Sequence, residues 1–360
     1  MITSDFSGLK ILGITSSVPT RCVKAHDYDD LFGADIVAKN LATVGIRQTY
    51  HASEQQTSSD FAYVAGKKLL EELSIDPASI GVLIFTATFL DYHEPPTACV
   101  LHHRLGLSTD CIVFDTDLAC SGYVYGLQTL CSTLKCSSAK RGLFLTGDIA
   151  SKVVSPYDKS RMLFGDGGSA TLVEKCDGYI DDFHFAMKTD GSRYKAIIVP
   201  AGAYRNVGAS HEREEWFDGN IRSDYDLFMN GTEVFSFTMT DVPALANEFM
   251  EKYDLTPNDF DAYIFHQPNL FILKHLIKKL KIPQEKLKLS LDRYGNTSVC
   301  AIPITICDAY HDSNGDKRMF IYGFGVGLSW ACASITINTN CVYNIIHTDE
   351  YYKDGAVAHH

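Results

Sequence analysis

No stretch of the 360 residues approaches the roughly 18–20 consecutive apolar residues of a membrane-spanning helix. The opening Met1-Ile2-Thr3-Ser4-Asp5 has no basic segment leading into an apolar one, so no secretory signal is expected and a cytoplasmic location is. None of the 11 cysteines stands in a CxxC pair, which argues against a structural zinc site. In a reducing compartment they remain thiols. Positive charge is in short supply: 32 Lys and Arg against 44 Asp and Glu leave a net −12. That balance excludes nucleic acid as the main partner and requires a local basic patch for any acidic one. The 46% hydrophobic and 21% charged shares are those of a soluble globular chain, long enough for one large or two medium domains.

What is present is alternation. Strand-like runs fall at about 9–16, 80–86, 111–116, 142–148, 261–266 and 319–328. Helix-like patterns fall at 58–73, at 95–105, after Cys120, at 233–253, 269–281 and 301–309. Ser58-Ser59-Asp60 supplies caps for the first helix. Pro243 suggests a kink or break in the fourth. Residues 190–228 read as a long irregular insertion or cap, and those after 345 as a frayed polar tail. The alternation implies an α/β fold with mainly parallel sheets. Strand, helix, strand, glycine loop, strand recurs in both halves. This suggests an internal duplication: 1–176 and 177–345, followed by the tail 346–360.

Sites in such sheets collect at the C-terminal ends of strands. Cys120, His266 and Asn296 sit at such ends. Cys120 lies where the strand ending at Thr116 hands over to a helix marked by Tyr123, Leu127 and Leu130. Free N–H groups and the helix dipole there favour a thiolate, so Cys120 is a candidate nucleophile near neutral pH. Taken singly, each has a plainer reading: a small apolar filler, a satisfied core histidine, and a turn asparagine tolerant of left-handed backbone. Gly323-Phe324-Gly325-Val326-Gly327 has dinucleotide-loop spacing, but no acidic residue follows at the required distance.

Together they form a chemical set. A Cys120 thiolate attacks a thioester carbonyl, and backbone N–H groups at Cys120 and in the 325–327 loop hold the oxyanion. An imidazole and a carboxamide hold a second carbonyl oxygen as it becomes enolate-like. That set suits carbon–carbon bond formation between two thioesters. No metal is needed and no ligand cluster is visible.

Six motifs then occur in order. They are Asp117-Leu118-Ala119-Cys120-Ser121-Gly122, Phe164-Gly165-Asp166-Gly167, Met229-Asn230-Gly231-Thr232-Glu233-Val234-Phe235, His266-Gln267-Pro268-Asn269, Tyr294-Gly295-Asn296-Thr297-Ser298 and Gly323-Phe324-Gly325-Val326-Gly327-Leu328-Ser329-Trp330. From about residue 9 to 335 the chain resembles the β-ketoacyl-acyl-carrier-protein synthase III family of thiolase-fold condensing enzymes. The resemblance implies a five-layered αβαβα fold of two similar halves, a homodimer, and no cofactor beyond substrates carried on CoA or on the phosphopantetheine of acyl carrier protein. Cys120 takes an acyl group. Malonyl-carrier then loses carbon dioxide, and its enolate, held by His266 and Asn296, attacks the acyl-Cys. The N–H groups of Cys120 and Val326 match the oxyanion hole. Phe235, Phe324, Met229 and Gly231 match the substrate pocket.

The departures bear on delivery. The tryptophan and arginine that help hold the CoA nucleotide align near Lys39 and Thr43, and a later arginine near Lys159. A carrier-docking arginine is replaced by Phe271, but Lys274, Lys278, Lys279 and Lys281 follow along the same helix as a patch for an acidic carrier. Glu94 resembles the glutamate that, in the branch joining two acyl chains head to head, is supplied by the neighbouring subunit as a base. The alternatives are therefore a Glu94-dependent condensation without decarboxylation, acyl transfer to another acceptor, and a catalytically silent partner subunit.

Overall fold

The computed structural model of the chain describes residues 1–176, 178 and 182–354. The expected start of the second half at 177, and tail residues 355–360, lie outside them. The apolar strands Ile80–Thr86 and Arg141–Asp148 lie parallel in a six-stranded sheet. Its order is Ile346–Thr348, Leu9–Pro19, Gly167–Lys175, Arg141–Asp148, Ile80–Thr86, Ile112–Thr116. A five-stranded sheet runs Ile2–Phe6, Phe183–Thr189, Ser329–Asn338, Asp316–Gly325, Ala262–Phe265.

Helices Gly122–Lys135 and Ala301–Tyr310 pack between the two sheets, and residues of all four elements merge in one core. Ser58–Glu72 and Thr97–Arg104 cover the outer face of the first sheet. Gly231–Lys252 and Leu270–Lys279 cover that of the second. The layering is the expected αβαβα. The expectation of mainly parallel sheets is corrected: among the described residues of these two sheets, four strand pairs are parallel and five antiparallel. Asp316–Gly325 and Ser329–Asn338 are joined by a tight turn, which permits only an antiparallel pair.

Two further expectations change. Gly231–Lys252 runs through Pro243 unbroken. Proline leaves the carbonyl four residues back without its N–H partner, and that carbonyl, of Met239, accepts from Lys279 Nζ instead. The tail is not frayed at its start. Ile346–Thr348 pairs in parallel with Ser17–Pro19, and Gln56 Nε2 donates to the carbonyls of Thr348 and Glu350 at 3.1 Å each. The insertion is as irregular as expected, holding only two-residue strands between 197 and 229. Among the described residues no helix is long and apolar enough to cross a membrane, and no metal-ligand cluster occurs.

Candidate active site

Cys120 lies in the turn between Ile112–Thr116 and Gly122–Lys135, as the sequence implies. The Gly122 N–H donates to the Ala119 carbonyl at 2.8 Å, closing the turn. Ser121 Oγ, 2.6 Å from Ser329 Oγ, ties it to the second sheet. Gly325 passes so close that a Cβ there would stand 2.7 Å from Cys120 Cβ and 3.0 Å from its sulfur. Burial pushes the thiol up to about 12, and the nearby Asp148 charge adds to this. The Ser298 hydroxyl and the N–H groups of Cys120 and Val326 act in the opposite direction. The expected thiolate is thus corrected to a resting thiol, because desolvation outweighs the helix terminus. The two N–H groups named for the oxyanion hole do converge on the sulfur.

His266 follows the strand Ala262–Phe265, and its N–H donates to the Tyr322 carbonyl at 2.7 Å. Its ring meets Phe324 edge to face at 5.6 Å and 89°. Burial holds its pKa down at about 3, against a weaker opposing contact with the Ser298 backbone, so it is neutral at working pH. Nδ1 is buried with no hydrogen-bond partner among the described residues, unlike a satisfied core histidine.

Asn296 is fixed by its own backbone. Its N–H donates to Leu163 at 2.8 Å, and its carbonyl accepts from the Gly165 N–H at 3.0 Å. Gly295 makes this possible: φ is +70°, and a Cβ would meet the Leu163 carbonyl at 2.8 Å. Asn296 Oδ1 accepts from the Ser298 N–H at 2.9 Å, which aims its NH₂ away from that bond.

These residues line one cavity of about 920 Å³. Its walls include Phe89, Leu90, Ile197, Val199 and Leu227, and Met229 and Phe324 stand in them as expected. Phe235 and Gly231 do not. Phe235 is 39% exposed and packs on Phe271, 5.8 Å between ring centres. Two positions on, about 200° round the helix, the fully buried Phe237 faces the cavity with Val234 and Thr238. Glu94 is exposed and outside the cavity of its own chain, although Asp91, Tyr92 and His93 line it. Lys274, Lys278, Lys279 and Lys281 are all exposed, and Lys279 Nζ also donates to the Met239 carbonyl. Lys39, Thr43 and Lys159 are exposed, and Thr43 Oγ1 donates to the Lys39 carbonyl at 3.0 Å.

Sequence reading missed two residues. Asp148 ends the strand Arg141–Asp148 inside the cavity, and Ser298 reaches it at a left-handed φ of +51°. The strand-end rule that selected Cys120 would have selected Asp148 as well.

A thiol at a strand–helix turn, a neutral imidazole and an oriented carboxamide on one apolar cavity define a thiolase-fold condensing enzyme. Residues 114–191 match the model for 3-oxoacyl-[acyl-carrier-protein (ACP)] synthase III, and residues 250–337 that for its C-terminal part. A putative 3-oxoacyl-[acyl-carrier-protein] synthase 3 of Campylobacter jejuni is 31% identical over 96% of this chain and 99% of its own. The β-ketoacyl-[acyl-carrier-protein] synthase III of Caldanaerobacter subterraneus is 31% identical over 90% and 96%. The crystal structure of a 3-oxoacyl-(acyl-carrier protein) synthase from Burkholderia xenovorans superposes with a TM-score of 0.89 at 32% identity, covering 96% of this chain and 99% of that one. Xanthomonas campestris OleA shares the fold, with a TM-score of 0.77 at 17% identity over 92% and 98%. The chain belongs to the β-ketoacyl-[acyl-carrier-protein] synthase III family.

Proposed function

We propose that the chain makes β-ketoacyl thioesters by decarboxylative condensation with malonyl-acyl carrier protein. Cys120 carries the acyl group, the N–H groups of Cys120 and Val326 hold the oxyanion, and His266 with Asn296 holds the enolate oxygen. The observation that carries this reading is the meeting of Cys120, His266, Asn296 and Val326 on one apolar cavity. The apolar walls suit an acyl chain. A neutral His266 and a carboxamide turned by the Ser298 N–H are both donors to a developing enolate. The acyl donor is carrier-bound, since Lys39, Thr43 and Lys159 supply neither the aromatic platform nor the arginines of a CoA grip. The exposed Lys274, Lys278 and Lys281 suit an acidic carrier.

A second reading uses Glu94 as the base of a condensation without decarboxylation. Because Glu94 does not line its own cavity, that role requires a partner copy, and the family's homodimer would supply one. Carbon dioxide release separates the two. With acyl and malonyl carriers, one carbon dioxide is expected per product, and Glu94→Gln leaves the rate within about twofold. Product without carbon dioxide, or a rate lost in Glu94→Gln, favours the second reading.

A further inference from the structure

Asp148 is a buried carboxyl group that the chemistry above does not use. It lines the same cavity as Cys120 and Ser298. Its Oδ1 is buried and receives no aligned hydrogen bond among the described residues, while Thr88 Oγ1 reaches Oδ2 at 3.4 Å. Ser298 lines that cavity beside them, and its hydroxyl acts to lower the pKa of both Cys120 and Asp148. The backbone holds Ser298 there at φ +51°, a conformation that few non-glycine residues adopt, and its N–H is bound to Asn296 Oδ1. We propose that Asp148, acting through the Ser298 hydroxyl, is the proton acceptor that activates Cys120.

The cavity favours this route over His266. Burial holds His266 far below its ordinary range, so an imidazolium is costly there. Burial pushes Asp148 up to about 7, with Ser298 opposing and Asp166 adding to the rise. A carboxylate so placed exists at working pH and still takes a proton readily. Asp166, whose charge acts on Asp148, accepts from the N–H groups of Ala52 and Ser151 and from the Ser151 hydroxyl. Burial raises Asp166 as well, but its three donors oppose that rise, whereas Asp148 Oδ1 has no such donor among the described residues. The other titratable groups facing Asp148 are Cys120 and His266 in the cavity and Cys300 behind it. Asp91 and Asp117, both raised by burial, line the same cavity.

The step balances. The Cys120 proton moves to Ser298 Oγ as the Ser298 proton moves to the Asp148 carboxylate. The sulfur then forms its bond to the thioester carbon, and the carbon–sulfur bond to the carrier breaks. The departing thiolate takes the proton back along the same path and leaves as a thiol, restoring the Asp148 carboxylate.

This inference deepens the reading of Cys120 as nucleophile, and alkylation tests it without needing turnover. The full-length protein is treated with iodoacetamide from pH 5.5 to 9, and modification of Cys120 is followed by peptide mass spectrometry. The rate is expected to rise to a plateau with an inflection near 7, set by Asp148 ionisation. Asp148→Asn should lose the inflection and react roughly tenfold or more slowly at pH 7.5. Ser298→Gly, which keeps the left-handed backbone and removes the hydroxyl, should do the same. His266→Ala should keep the inflection. A purely electrostatic Asp148 predicts the opposite sign, because removing its charge eases thiolate formation. Faster alkylation in Asp148→Asn, or an inflection that survives both Asp148→Asn and Ser298→Gly, overturns the proposal. Acylation of the wild type by acyl-carrier is scored separately, and its absence would count against the proposed function instead.

Discussion

His266→Ala is expected to separate the two halves of the reaction. Acyl transfer to Cys120 continues, because neither oxyanion N–H belongs to His266. Condensation of preloaded enzyme with malonyl-carrier falls by roughly 10²–10³, the usual loss when one of a pair of oxyanion donors is removed. The same arrangement fixes the pH dependence. A histidine with a pKa of about 3 is neutral throughout the working range and donates one N–H without a change of state. Single-turnover condensation should therefore be flat from about pH 5.5 to 8, with no inflection at the ordinary histidine value near 6.5. Rapid-quench measurement of product from acylated enzyme checks both. Equal loss of acylation in His266→Ala would place the histidine in the first half-reaction instead.

Gly325→Ala carries the second large effect, and its cause is steric. The added Cβ would stand 2.7 Å from Cys120 Cβ and 3.0 Å from the sulfur, closer than non-bonded carbons approach. Gly325 ends a strand held along its length by Ser329–Asn338, and the cysteine turn is tied by Ser121 to Ser329. Neither backbone can retreat easily, so the sulfur side chain moves. A displacement on the order of 1 Å costs about 100-fold in a positioned reaction. The rate of acyl-enzyme formation should fall by that factor while the fold remains intact by circular dichroism. Wild-type acylation in Gly325→Ala would mean that the loop yields.

Much of this was legible in the sequence. The buried strand Ile80–Thr86 is a nearly unbroken apolar run, and the helix at Ser58 begins where expected, although its N-cap is Thr57 paired with Asp60 rather than Ser58 or Ser59. Cys120 and His266 were found by a rule about strand ends that depends only on order along the chain, whereas Asn296, expected at such an end, lies in the turn after the helix Leu291–Tyr294. What was not legible depends on distant partners. Pro243 looked like a breaker because nothing local indicates that Lys279 would satisfy the freed carbonyl. Ile346–Thr348 has too little length or pattern to mark a strand until Ser17–Pro19 lies beside it. Phe235 and Phe237 differ by two residues, and motif alignment selected the one that the helix turns outward. The resting state of Cys120 was misjudged for a related reason. The favourable helix terminus is local, whereas the desolvation that outweighs it comes from a cavity closed by the second half of the chain. Ser298 escaped because it has no chemical signature until Cys120 lies next to it, whereas Asp148 stands at a strand end, where the same rule applies.

The central claim is that one cysteine of 11 carries the acyl group. Intact-protein mass spectrometry after incubation with a panel of acyl-carrier donors tests it directly, with peptide mapping to locate the adduct. The account predicts one acyl adduct per chain in the wild type, on the peptide containing Cys120, and none in Cys120→Ala. An adduct that persists in Cys120→Ala, or one that maps to another cysteine, would contradict it.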